Sequence, residues 1–189
     1  MSDPHTPPTT PPRKADARRP SLVLINTGDG KGKSTAAFGT AMRAVARGWK
    51  VAVVQFLKSG EWSVGEEKLG RQVGMDWWAL GDGFTWDSED MEESEAIARE
   101  AWRHASGLIA SGAYDLVVLD EVTYPVNWGW VAVGDVVRAL RERPERVNVF
   151  ITGRDAPAEL IELADTVTEM VKVKHAFDQG IMARRGIDY

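Results

Sequence analysis

A run of glycines and lysines at residues 28–34 (GDGKGKS) is the part of the sequence best suited to chemistry. It follows a short apolar run and precedes an alanine-rich helical segment. Backbone N–H groups of such a loop, together with the helix N-terminus, form a ready site for an anion. Lys33 would place its ammonium on phosphates, and the Ser34 hydroxyl would reach Mg²⁺. The run therefore predicts binding of the triphosphate of ATP.

The glycines of this run permit either close approach of a ligand or a φ that other residues avoid. The spacing, however, departs from the standard phosphate-loop pattern, in which four residues separate the first glycine from the Gly-Lys pair. Counting back five positions from Gly32 gives Thr27, so the first glycine comes one position late, at Gly28. We expect a loop that is shorter or differently shaped, with a second lysine, Lys31, inside it. The alternative is a chance glycine-rich turn.

An acidic pair follows a second apolar run. Asp120 and Glu121 come directly after the residues Leu116 to Leu119. A carboxylate at the carboxyl end of a strand beside the phosphate loop can reach the Mg²⁺ held by a nucleotide. The alternative is an acidic cap on a loop, but the two motifs together favour a nucleotide site.

Composition excludes several classes of protein. The 189 residues carry 23 basic and 28 acidic side chains, and this balance disfavours a general nucleic-acid binder. There is no cysteine, which excludes disulfides, thiolate metal sites and cysteine nucleophiles and fits a reducing cytoplasm. No apolar run approaches the ~20 residues that span a membrane, and the N-terminus lacks the apolar segment of a secretory signal.

Strand and helix patterns alternate along the chain, as a parallel sheet requires. Residues 1–20 are different: they hold six of the nine prolines and predict a disordered or ligand-covering arm before a single domain at 21–189. The fold class predicted is α/β, a three-layer P-loop NTPase-like (RecA-like) fold with a mostly parallel central sheet. The predicted strands are Leu22–Asn26, Val51–Phe56, Met75–Leu80, Leu116–Leu119, Val147–Thr152 and Val167–Val173. The predicted helices are Ser34–Arg47, Asp87–Ser111, Val133–Arg141 and Pro157–Ala164.

Several short segments, in this order and spacing, resemble the P-loop type of ATP:corrinoid adenosyltransferase. They cover most of the chain beyond the arm. They are residues 27–39 (TGDGKGKSTAAFG), 53–58 (VVQFLK), 83–86 (GFTW), 118–124 (VLDEVTY), 151–154 (ITGR), 173–177 (VKHAF) and 180–189.

The resemblance implies a reaction in which cobalt(I) of a reduced corrinoid attacks the ribose 5′ carbon of ATP and triphosphate leaves whole. The nucleotide would lie in an inverted sense on the loop. The substrate would be cobalamin or cobyrinic acid a,c-diamide, in the synthesis or salvage of vitamin B12. A cytoplasmic homodimer and a transient flavoprotein reductant are also implied.

By position, the resemblance also implies site residues. Lys31 and Lys33 would neutralise the leaving group, and Glu121 would serve Mg²⁺ or Mn²⁺, with Asp120 a weaker candidate. Ser34 and Thr35 would assist that cation; Ser34 stands where the family often has threonine. The full set predicted to contact ATP is Gly28, Asp29, Gly30, Lys31, Gly32, Lys33, Ser34 and Thr35.

Four further residues carry open interpretations. Asp29 stands where the family often has asparagine, so its carboxylate must point away from the phosphates or pair with a lysine. Phe84 and Trp86 match the family's aromatic pair, which would displace the ligand below the corrin ring; taken alone, they would be ordinary core aromatics. Arg154 is a possible substrate contact or a surface ion pair.

Two other classes of function compete with this one. A P-loop ATPase or kinase would use the same acidic pair, and a carrier would bind corrinoid or nucleotide without turning it over. His175 is interpreted as structural, because the implied mechanism removes an axial ligand from cobalt.

Overall fold

Residues 18–59, 65–81 and 91–188 are described by a computed structural model of the chain. Within them, six strands form one sheet in which every paired neighbour is parallel, in the order β3-β2-β4-β5-β1-β6. The strands are β1 Val23–Thr27, β2 Val51–Gln55, β3 Asp76–Ala79, β4 Leu116–Asp120, β5 Asn148–Thr152 and β6 Thr166–Glu169. The α/β prediction with a parallel central sheet is confirmed.

Helices cover both faces of the sheet. They are α1 Lys33–Val45, α2 Gly65–Gln72, α3 Met91–Ser111, α4 Thr123–Asn127, α5 Val133–Arg141 and α6 Ala158–Leu163, followed by a short 3₁₀ turn at Ala176–Gln179. Alternate residues of the central strands face opposite sides, as β geometry requires. Val53 and Val118 pack with α1 on one face, while Val54 and Leu119 pack on the other face with α3 and α5. The result is the three-layer arrangement that the sequence predicts.

Some predicted boundaries are wrong, and two helices were not predicted. The last strand, predicted as Val167–Val173, ends at Glu169 because β1 ends beside it and the glycine loop takes over the pairing. The Met170 N–H donates to the carbonyl of Thr27, and the Met170 carbonyl then accepts from the N–H of Gly30 at 2.6 Å. Helices α2 and α4 are short, eight and five residues.

The ends of the described segments limit two predictions. The N-terminal part of the predicted Asp87–Ser111 helix and most of the predicted arm lie outside the described residues. Within the arm, Arg19 is described, and its guanidinium pairs with Asp165 at 2.7 Å. No helix among the described residues is both long enough and apolar enough to cross a bilayer.

Candidate functional site

The glycine loop leaves the carboxyl end of β1, in the inner part of the sheet, and leads into α1. Gly28 and Gly32 have left-handed φ values of 89° and 112°, which favour glycine. A Cβ on Gly28 or Gly30 would lie 2.7 or 2.6 Å from the carbonyl oxygen of Met170. Gly30 is therefore required by the approach of the protein's own backbone at Met170, a reason that the sequence did not reveal.

Lys33 is the first residue of α1, and its side chain folds back into the loop. Its Nζ donates to the carbonyl oxygens of Gly28 at 2.7 Å and Gly30 at 2.8 Å. An ammonium has three N–H donors, so one is left for a ligand. Burial, and then repulsion from Arg154, lowers the pKa of Lys33, while Asp29 and Glu121 oppose that shift. The cation is thus held in place by the loop itself.

The other two charges of the loop have partners elsewhere in the chain. Lys31 pairs through Nζ with Asp188 Oδ1 at 2.8 Å, close to the C-terminus. Asp29 Oδ1 lies 3.5 Å from Nε of Arg154, and both side chains are largely exposed. The partner of Asp29 is therefore an arginine and not a lysine.

The start of α1 offers the remaining groups of the predicted phosphate site. Gly32 precedes the helix in a left-handed conformation, and no side chain caps the helix. The first-turn N–H groups of an α-helix have no partner within the helix, so they suit an anion. Ser34 is half-buried and Thr35 is exposed, which makes Ser34 the better placed of the two hydroxyls.

Asp120 and Glu121 have different environments. Asp120 is fully buried, and its carboxylate accepts from Gln55 Nε2 at 2.9 Å and Thr152 Oγ1 at 2.7 Å. Glu121 lies in a left-handed conformation, with φ 66°, directly after β4. Burial, and then the charge of Asp120, raises the pKa of Glu121 to about 7.

Three cations oppose that rise in the pKa of Glu121: Lys58, Lys33 and Arg154. Their influence places the Glu121 carboxylate among the positive charges at the loop edge of the sheet. Lys58 also lies 3.9 Å from the Oδ2 of Asp120. The structure therefore brings together the glycine loop, Lys33, Glu121 and Arg154.

This arrangement suits a nucleotide-bound cation. Among the described residues, no three carboxylate or imidazole groups converge into an all-protein metal site. Mg²⁺ usually needs no such cage, because it keeps several waters and binds one or two protein ligands together with substrate phosphates. One carboxylate from Glu121 and one hydroxyl from Ser34 match that requirement.

Arg154 is set in place by its own backbone. Its carbonyl accepts from Thr123 Oγ1 at 2.7 Å and from Asn127 Nδ2 at 3.4 Å, so α4 holds the loop after β5. Gly153, with φ 141°, packs so tightly that a Cβ would lie 1.9 Å from Thr123 Oγ1. The guanidinium is half-exposed beside the glycine loop.

Other predicted residues lie elsewhere or outside the described residues. Phe84 and Trp86 lie outside them. His175 accepts from the N–H of Phe177 through Nδ1 at 3.1 Å, a local contact at the 3₁₀ turn. Sequence reasoning did not single out Gln55, Thr152 or Asp188; the first two were detectable as the polar last residues of apolar strands.

Comparisons with known proteins agree in pointing to one family. Residues 19–189 match the model of the family described as ATP:corrinoid adenosyltransferase BtuR/CobO/CobP. A corrinoid adenosyltransferase of Escherichia coli (strain K12) is 49% identical over 168 residues, covering 89% of this chain and 85% of that protein. The corrinoid adenosyltransferase CobA of Salmonella typhimurium is 45% identical over the same shares of each chain. One from Pseudomonas aeruginosa is 42% identical over 170 residues, covering 89% and 83%.

Proposed function

The chain belongs to the ATP:corrinoid adenosyltransferase family, and from that premise we propose how its residues carry out the reaction. The enzyme transfers the 5′-deoxyadenosyl group of ATP to the cobalt of a corrinoid, in cobalamin synthesis or salvage. The electron pair of cobalt(I) forms the bond to C5′, the C5′–O bond breaks, and triphosphate leaves with the bonding electrons. The nucleophile is the substrate's own metal, so no side-chain base is needed.

The protein's part is to hold the triphosphate and neutralise the charge that develops on it. The observation that carries this proposal is the Lys33 ammonium, fixed by two loop carbonyls with a third donor left for phosphate. The Gly30 N–H already donates to the Met170 carbonyl, so the other loop amides and the start of α1 add the fixed positive potential. Such preorganised groups stabilise a leaving group without reorganising during the reaction.

We assign a divalent cation, Mg²⁺ or Mn²⁺, to Ser34 and Glu121. When bound, it would supply further positive charge to the leaving phosphates. Lys31 and Arg154 flank the same loop, and each would have to exchange its carboxylate partner for phosphate or substrate. Phe84 and Trp86 keep their predicted role below the corrin ring, on the strength of the family resemblance.

We further propose that the enzyme is a homodimer in the cytoplasm and that a flavoprotein transiently supplies the electrons that reduce the corrinoid. The segment after β6 exposes several large apolar side chains: Val171, Val173, Phe177, Ile181, Met182 and Ile187. Exposed apolar groups concentrated in one segment are typical of a surface that another molecule covers. We propose that a second copy covers it, and sedimentation of the purified chain as a monomer at micromolar concentration would contradict that.

The reaction is tested by an anaerobic assay with ATP and chemically prepared cob(I)alamin. We expect the spectrum of the adenosylated product and one triphosphate for each cobalt–carbon bond. Release of ADP and phosphate without corrinoid would instead indicate an ATPase or kinase. Binding of both ligands without turnover, even with strong reductant present, would indicate a carrier.

A further inference from the structure

Three polar side chains at the ends of neighbouring strands form a buried chain behind Glu121. Gln55 ends β2, Asp120 ends β4 and Thr152 ends β5, and each residue has 0% exposure. Polar groups buried this deeply must find partners within the protein. In parallel strands with this register, the nearest partners are one another, since Gln55 lies directly opposite Asp120.

The hydrogen bonds of this chain have defined directions. Asp120 accepts from Gln55 Nε2 at one carboxylate oxygen and from Thr152 Oγ1 at the other. The amide oxygen of Gln55 accepts in turn from the indole Nε1 of Trp77 in β3, at 2.9 Å. These hydrogen bonds therefore link four adjacent strands, and each carboxylate oxygen of Asp120 accepts one of them.

Thr152 connects this chain to Glu121. A hydroxyl has a single proton, and Thr152 donates it to Asp120, so its oxygen is left to accept. It accepts from the backbone N–H of Glu121 at 2.9 Å. Asp120 thus fixes the orientation of the hydroxyl, and the hydroxyl fixes the first peptide group beyond β4.

That peptide group begins an unusual conformation. Glu121 has a φ of 66°, a left-handed value that residues with a Cβ adopt only when their surroundings enforce it. The carboxyl group at this turn feels the charges of Lys33, Lys58 and Arg154. Without its hydrogen bond to Thr152, the Glu121 peptide group would be held less firmly in this conformation.

We propose that Thr152 is a positioning residue for Glu121, and that Asp120 anchors Thr152 instead of binding the divalent cation. The proposal rests on the assignment of Glu121 to that cation under the proposed function. The sequence made Asp120 a candidate ligand of the cation, and the structure gives another reason for an acidic residue there. A carboxylate accepts the Thr152 hydroxyl proton, which leaves the Thr152 oxygen free to accept from the Glu121 N–H.

The first test measures Mn²⁺ binding in the presence of ATP, without corrinoid, by the electron paramagnetic resonance signal of free Mn²⁺. Thr152→Val keeps the shape of the side chain but removes the hydroxyl, and we expect Mn²⁺ affinity to fall about 10-fold, as for other groups that orient a metal ligand. Thr152→Ser retains the hydroxyl and should restore most of that affinity. Wild-type Mn²⁺ affinity in a folded Thr152→Val would overturn the proposal.

The second test needs neither metal nor nucleotide. Hydrogen exchange of the Glu121 amide, followed by NMR, should be at least about tenfold faster in Thr152→Val than in the wild type, because the amide loses its acceptor. Thr40→Val is the control: the Thr40 hydroxyl donates to the Ala36 carbonyl within α1 at 3.1 Å. It removes a threonine hydroxyl that contacts neither Glu121 nor Thr152 and should leave exchange at Glu121 unchanged.

These outcomes separate this inference from the proposed function. If Glu121→Gln binds Mn²⁺ as tightly as the wild type, the metal assignment fails, and the proposal fails with it even if adenosylation continues. If Glu121→Gln weakens Mn²⁺ binding but Thr152→Val does not, only the positioning role is wrong. A wild-type enzyme that forms no adenosylated cobalamin contradicts the proposed reaction, while the amide exchange at Glu121 still reports on Thr152.

Discussion

The candidate site depends on a few charged side chains that interact with one another while partly shielded from water. Lys33 and Arg154 stand against Glu121, and each alters the protonation equilibrium of another member of the group. Interactions of this kind are stronger than between exposed groups because less water screens them. Single substitutions here should therefore change ligand binding by measurable amounts.

Removal of the Lys33 ammonium should slow adenosyl transfer. We expect Lys33→Ala to lower kcat/KM for ATP at least about tenfold, because the departing triphosphate loses a fixed positive charge. The measurement is the anaerobic adenosylation assay with preformed cobalt(I). Lys68→Ala, which removes an exposed lysine of α2, is the control and should behave as the wild type. Equal rates for both variants would contradict the assignment of the loop.

Glu121 should make the stability of the nucleotide-free protein depend on pH. Its pKa in the folded state is raised to about 7, above its ordinary value of 4.5, so folding favours the protonated form. This contribution is fully present below about pH 4.5 and is lost as the pH rises through 7. Between pH 5 and 8, the wild type should therefore lose free energy of unfolding relative to Glu121→Gln, by an amount of the order of 2 kcal/mol.

Urea unfolding of both proteins at several pH values, without nucleotide or divalent cation, measures that difference. Glu145→Gln, at an exposed position, should follow the wild type at every pH. A constant difference between the wild type and Glu121→Gln would mean that Glu121 titrates as an ordinary exposed carboxylate.

At the level of elements, the parallel sheet brings the residues of the candidate site together. The carboxyl ends of β1, β2, β4 and β5 meet at one edge, where open parallel sheets bind ligands. Met170, the residue directly after the last strand β6, adds a backbone contact: its carbonyl accepts from the Gly30 N–H at 2.6 Å. The shape of the glycine loop thus depends on an edge strand far away in the sequence.

Substitution of Gly30 should disturb that contact. In Gly30→Ala, the new Cβ would lie 2.6 Å from the Met170 carbonyl oxygen, so the loop or β6 must move. We expect a loss of roughly 1–3 kcal/mol in the free energy of unfolding, together with weaker ATP binding.

Gly39→Ala is the matched control, because Gly39 lies within α1 and a Cβ there would meet nothing within 4 Å. It should stabilise the protein by about 0.5–1 kcal/mol, since alanine favours a helix over glycine. We therefore expect denaturant unfolding to show a lower free energy of unfolding for Gly30→Ala and a higher one for Gly39→Ala. If both variants stabilised the protein, the packing of the loop against Met170 would be wrong.

The strands and longer helices were predictable because their apolar patterns are strong. Val133–Arg141 agrees at both ends, and the buried central strands agree to within a residue or two. Helix α4 was not predictable, because five residues with a proline give no helical period. The end of β6 depends on where β1 ends, which is a tertiary property.

The same distinction holds for the site. Local sequence sufficed to propose Lys33, since a strand, a glycine loop and a helix follow one another directly, and to propose the acidic pair, which follows an apolar strand. The different environments of Asp120 and Glu121 depend on Gln55 and Thr152, which come from other strands. Lys31 pairs with Asp188, close to the C-terminus, and no local pattern indicates that partner.

On the scale of the whole molecule, the C-terminal segment returns to the glycine loop. Asp188 pairs with Lys31 and also accepts from the N–H of Arg184 at 2.7 Å. These contacts, led by the hydrogen bond from Lys31, lower the pKa of Asp188, so the carboxylate stays charged. A triphosphate that uses Lys31 must therefore compete with a carboxylate supplied by the protein.

Removal of that competitor should tighten nucleotide binding. We expect Asp188→Asn to lower the Kd for ATP by no more than about fivefold, because water screens an exposed ion pair and keeps its contribution small. The difference should shrink as salt screens the pair, which titration calorimetry at low and high ionic strength would measure. Asp178→Asn is the control, since Asp178 pairs with Lys172 in the same segment and not with the loop. A higher Kd for Asp188→Asn alone would mean that the segment supports the loop and that Asp188 does not compete with phosphate for Lys31.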